Sequence, residues 1–93
     1  MKLRIGGQDY TVDTHADSDP EAHWGLCQRF TSTLWINGTV GAELRRAVLM
    51  HEMTHAACPW LNEEQVDRIA DEIYAALRDN GMLNERRWRE LVR

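Results

Sequence analysis

The sequence predicts an α+β domain in which a short sheet, built from roughly the first 40 residues, packs on two long helices. Three observations predict it. Short β-prone runs divided by Gly-Gly and Asn-Gly turn signals fill residues 1–40. Apolar residues at spacings of three and four fill residues 41–57 and 62–80. The chain has 93 residues, 43% of them hydrophobic and 28% charged, which suits one domain with one core over 1–93.

Residues 1–14 read as a hairpin. Lys2-Leu3-Arg4-Ile5 alternates, Gly6-Gly7 supplies the turn, and Tyr10-Thr11-Val12 returns. Residues 13–23 are polar, without a period, and read as an acidic loop that contains His15 and His23. Residues 24–40 read as a second hairpin, whose β-rich run Thr33–Ile36 stops at Asn37-Gly38.

The helix over 41–57 carries Leu44, Val48, His51, Glu52 and His55 along one face, with Glu43, Arg45 and Arg46 expected away from it. Cys58-Pro59 ends it, because proline cannot continue a helix and biases the preceding residue out of the α region. The helix over 62–80 opens with Asn62 as N-cap and Gln65 at the capping-box position, and Asp79-Asn80-Gly81 closes it. Val66, Ile69, Ala70, Ile73 and Leu77 are its expected buried stripe. A short third helix over 84–93 is expected to turn Trp88 and Leu91 inward.

A net charge of −4 argues against a general nucleic-acid binder. The basic tail from Arg86 to Arg93 reads as a solvated helix face. No apolar run is long enough to span a bilayer, and Met1–Ile5 alternates like a strand rather than a signal peptide. A cytoplasmic location is therefore expected, with Cys27 and Cys58 as free thiols rather than a disulfide framework.

The chemistry concentrates in His51-Glu52-Met53-Thr54-His55, an H-E-x-x-H sequence on the first helix. Residues four apart share a helix face, so both imidazoles can address one ion, with Glu52 beside them as general base on a zinc-bound water. Three polar residues on an apolar face are costly unless paired or metal-bound. A catalytic zinc needs a third protein ligand. At about 100° per residue, Glu63 lines up with Val66 and Ala70 on the inward face of the second helix. The short linker from Ala56 to Asn62 forces that helix back along the first, antiparallel or at a steep angle, and brings Glu63 near the motif. Cys58, three residues past His55, could also reach a metal, but it reads first as a small buried apolar residue.

The pair of motifs His51–His55 and Asn62-Glu63-Glu64-Gln65-Val66-Asp67 resembles the gluzincins, metallopeptidases with H-E-x-x-H followed by N-E-x-x-x-D on the next helix. The region from Trp24 to Asn80 is similar to the small bacterial and phage metallopeptidases of the ImmA/IrrE type, which cleave repressor proteins. The resemblance implies a zincin-like fold and a peptidase that binds Zn²⁺ through His51, His55 and Glu63. Asp67 would orient a ring N–H of His51 or His55, and Asn62 would act either beside the ligands or only as helix cap.

The resemblance also implies a protein or peptide substrate, a repressor among the candidates, bound along the Thr33–Ile36 strand at the edge of the cleft. Large gluzincins add a C-terminal domain whose histidine steadies the transition state. This chain offers no counterpart by spacing, and Tyr10, His23 and Tyr74 are the candidates for that role. The alternative to an enzyme is a catalytically inactive, metal-stabilised module used in protein–protein interaction.

Overall fold

A computed structural model describes residues 2–15, 24–84, 86 and 90. Four strands, β1 (Lys2–Ile5), β2 (Gln8–His15), β3 (Gly25–Gln28) and β4 (Thr33–Asn37), precede helices α1 (Ala42–Ala57) and α2 (Glu63–Asp79) and a 3₁₀ turn at Met82–Asn84. The α+β class follows directly. Among the described residues no helix is long and apolar enough to cross a membrane.

The strands form one mixed sheet in the order β1-β2-β4-β3. Gly6 and Gly7 take φ of 57° and 80°, a turn whose twist matches two antiparallel strands and which residues with a Cβ resist. β2 runs three residues further than the loop expected from 13 onward, because Asp13, Thr14 and His15 pair in parallel with Trp35, Ile36 and Asn37. Residues 16–23 of that loop, His23 included, lie outside the described set.

β4 lies inside the sheet, between β2 and β3, and so corrects its expected place at the edge. The physical reason is in its residues. Leu34, Trp35, Ile36 and Asn37 are all buried, an uninterrupted run that suits a strand covered on both faces rather than an alternating edge strand. Among the described strands β3 ends the sheet on this side, lies against α1, and is antiparallel to β4 with Gly25 opposite Ile36.

α1 is the middle layer. Tyr10, Val12, Leu34 and Ile36 from the sheet pack with Val48 and Leu49, while Met50 turns the other way and packs with Ala70, Tyr74 and Leu83. Burial of three consecutive residues, Val48 to Met50, is what a helix shows when it is covered on two sides. The same covering reaches Arg45 and Arg46. Both are half-buried, and Arg46 Nη1 donates to the Leu83 carbonyl at 3.5 Å.

α2 touches α1 along a narrower line than expected. Val66, Ala70 and Tyr74, four apart, are buried, whereas Ile69 and Ile73 are 39% and 45% exposed. Among the described residues α2 meets α1 and the Met82–Asn84 turn along this stripe, and the isoleucines fall beside it. The Tyr74 hydroxyl donates to the Glu43 carbonyl at 3.2 Å, so the end of α2 lies against the start of α1. The pair is antiparallel, and the start of α2 is thereby carried to the end of α1. Of the expected C-terminal helix, Arg86 and Glu90 are helical and pair at 2.9 Å, while Trp88 and Leu91 lie outside the described residues.

Candidate metal centre

The end of α1 and the start of α2 are fixed before any ion is considered. Cys58 closes α1, its N–H donating to the Thr54 carbonyl. Asn62 opens α2 with a complete capping box: its Oδ1 accepts from Gln65 N–H at 2.8 Å, and Gln65 Oε1 accepts from Asn62 N–H at 3.0 Å. Asn62 therefore acts as the helix cap of the two roles open to it. By holding the first turn, it holds Glu63.

His51, His55 and Glu63 come together, their candidate ligand atoms all within 4.8 Å of one another. His51 Nε2 lies 2.7 Å from Glu63 Oε1, His55 Nε2 lies 2.9 Å from Glu63 Oε2, and the two Nε2 atoms are 3.1 Å apart. The rings meet edge-on, 4.8 Å between centroids. Two atoms that each lie about 2.0–2.1 Å from one tetrahedral zinc are about 3.3 Å apart, so the cluster needs only a small expansion to hold the ion.

Asp67 sits one turn beyond Glu63 and takes the other nitrogen of His51, Nδ1 to Oδ1 at 3.1 Å. A neutral His51 with its proton on Nδ1, beside Asp67, would leave the Nε2 lone pair facing the Glu63 carboxylate. A cation among them would satisfy lone pairs that converge at these distances. The donor set of two imidazoles and a carboxylate fits zinc. Cys58 is outside this cluster, the one metal-capable group found among the described residues.

The cluster is accessible. The His51 and His55 side chains are 20% exposed and that of Glu63 is 67% exposed, leaving one side open to a water or a substrate. Two adjoining hollows, of ≈ 540 and ≈ 390 Å³, share Gly25, His51, Glu52 and Glu63. Trp24, Leu44, Ala47, Val48, Asp67 and Asp71 extend the first, and Leu26, Cys27, Arg29 and His55 extend the second. Glu52 is 6% exposed, so it reaches solvent through this cleft wall.

β3 approaches α1 closely beside Glu52. A Cβ on Gly25 would lie 2.6 Å from Val48 Cγ1, 2.9 Å from the Trp35 carbonyl and 3.2 Å from Glu52 Cγ. Only glycine lets the edge strand pass this near the motif. On the same strand, burial pushes the Cys27 thiol up, Arg29 opposes the rise and Glu52 adds to it. Arg29 Nη2 donates to the His55 carbonyl at 2.6 Å, tying the β3–β4 turn to the last turn of α1.

The candidates for steadying a transition state resolve differently. Tyr10 is buried in the core under the sheet, and Tyr74 is held at the far end of α1 by Glu43. Neither lines the cleft. Sequence reasoning missed Gly25, Cys27 and Arg29 as cleft residues, because no spacing marks them. They become neighbours of the motif only through the sheet order. No family model, curated protein or solved structure matches the chain.

Proposed function

We propose that this chain is a zinc-dependent metallopeptidase. The observation that supports it most is the convergence of His51 Nε2, His55 Nε2 and the Glu63 carboxylate beside a buried Glu52 at an open cleft. His51, His55 and Glu63 would hold the ion, and Asp67 keeps the proton of His51 on Nδ1. Zinc, when bound, polarises the substrate carbonyl and lowers the pKa of a water towards about 7.

The chain's own groups do the rest. Glu52 accepts the proton of the attacking water and delivers it to the leaving amine. Its burial in the cleft wall keeps that side chain in a poorly solvated position. β3 ends the sheet among the described strands, so an extended peptide can add alongside Gly25–Gln28 as a further strand. The substrate is thus a protein or peptide in extended form. The resemblance to repressor-cleaving enzymes makes a repressor, met in the cytoplasm, the first to try.

The test is chelator-sensitive cleavage of a peptide library by zinc-loaded protein, with Glu52→Gln beside it. The reading expects Glu52→Gln to keep its zinc and lose turnover. Undiminished turnover in Glu52→Gln would sink it, and stoichiometric zinc without any cleavage by the wild type would assign the chain to a non-catalytic metal-bound module instead.

A further inference from the structure

The charges that line the cleft are unbalanced. Glu52, Glu63, Asp67 and Asp71 contribute carboxylates, and Arg29 is the one permanently cationic side chain among the described residues on either hollow. Hydrolysis of an amide places negative charge on the carbonyl oxygen, and a fixed donor aimed at that charge is often the largest single contribution to rate. Tyr10 and Tyr74 are committed elsewhere. Arg29 is exposed, and its bond to the His55 carbonyl places the guanidinium at the end of α1, where helix carbonyls favour a cation. A guanidinium carries five N–H donors, and this bond uses one of them. The positive charge of Arg29 also reaches into the cleft, where it acts on Cys27.

We propose that Arg29 is a catalytic residue that donates to the oxyanion of the scissile carbonyl, which rests on the metallopeptidase reading above. In the step, the water oxygen bonds to the carbonyl carbon and one water proton passes to Glu52. The carbonyl π pair moves onto oxygen, where Arg29 donates a hydrogen bond and keeps its proton. Collapse reforms C=O and breaks C–N. The proton on Glu52 goes to the amine, and the second water proton follows, giving a carboxylate and an ammonium. Arg29 emerges unchanged.

The experiment compares zinc-loaded full-length wild type, Arg29→Lys, Arg29→Met and Arg29→Ala on a peptide that the wild type cleaves. Arg29→Met is expected to lower kcat by about 10²–10³-fold. KM, bound zinc and melting temperature should stay close to wild type. Arg29→Lys, which keeps a donor to the His55 carbonyl, should fall between, and millimolar guanidinium ion should restore part of the Arg29→Ala rate. A kcat in Arg29→Met equal to wild type overturns the proposal. So does a loss confined to KM, which would make Arg29 a binding group, or a loss of zinc without rescue, which would make it only a support for α1. A wild type that cleaves no peptide removes the metallopeptidase reading and the proposal together. A cleaving wild type with an indifferent Arg29→Met removes the proposal alone.

Discussion

His51 Nδ1 lies 3.1 Å from Asp67 Oδ1, while Nε2 of the same ring lies 2.7 Å from Glu63 Oε1. One imidazole thus spans two successive turns of α2. In the proposed site the carboxylate on one side would hold the proton on Nδ1 and leave Nε2 for a metal. The bond is exposed enough that its direct worth to folding is small, since the Asp67 side chain is 58% exposed. Its consequence lies in metal affinity.

Asp67→Asn is therefore expected to weaken zinc binding by about 10–100-fold with little change in melting temperature of the metal-free protein. Competition against a chromogenic chelator measures it. Unchanged affinity would mean that Asp67 is only a solvated neighbour.

Gly25→Ala tests how closely the edge strand must pass α1. The added Cβ meets Val48 Cγ1 at 2.6 Å and the Trp35 carbonyl at 2.9 Å, and the latter is backbone that cannot simply rotate away. Overpacking of this kind costs about 1–3 kcal/mol. Denaturant titration should show that loss, and turnover should drop as Glu52 is displaced. A fully stable, fully active Gly25→Ala would show that β3 has room that the structure denies it.

Cys27 gives a check by titration chemistry. Burial raises its pKa first, Arg29 lowers it, and Glu52 raises it. A raised thiol pKa means less thiolate at a given pH, and the thiolate is what alkylating agents attack. In metal-free protein at pH 8, iodoacetamide should modify Cys27 more slowly than a cysteine in an unstructured peptide, as followed residue by residue with mass spectrometry. A faster reaction would reverse the balance of burial and Arg29 described for this wall of the cleft.

The parts of this molecule governed by local chemistry were legible in the sequence. Gly6-Gly7 announces a turn that needs positive φ, Asn62 and Gln65 announce a cap, and the four-residue step from His51 to His55 announces a shared face. Glu63 was legible because helix periodicity carries its position forward from Val66 and Ala70. What long-range packing decides was not. The order β1-β2-β4-β3 puts β4 inside and gives the cleft to β3, and only then do Arg29 and Cys27 face the motif. The apolar run of Leu34-Trp35-Ile36 carried a hint of a central strand. The stripe on α2 was read too broadly for the same reason: Ile69 and Ile73 look as buried as Ala70 until it is known that, among the described residues, α1 covers only the Val66–Ala70–Tyr74 line.

In the proposed site one ion is held by His51, His55 and Glu63. Elemental analysis of purified wild type, Glu63→Ala, Cys58→Ala and Glu52→Gln, dialysed against the same trace of zinc, tests it most directly. One zinc per chain is expected in wild type, Cys58→Ala and Glu52→Gln, and its loss in Glu63→Ala. Zinc retained by Glu63→Ala but lost from Cys58→Ala would contradict it.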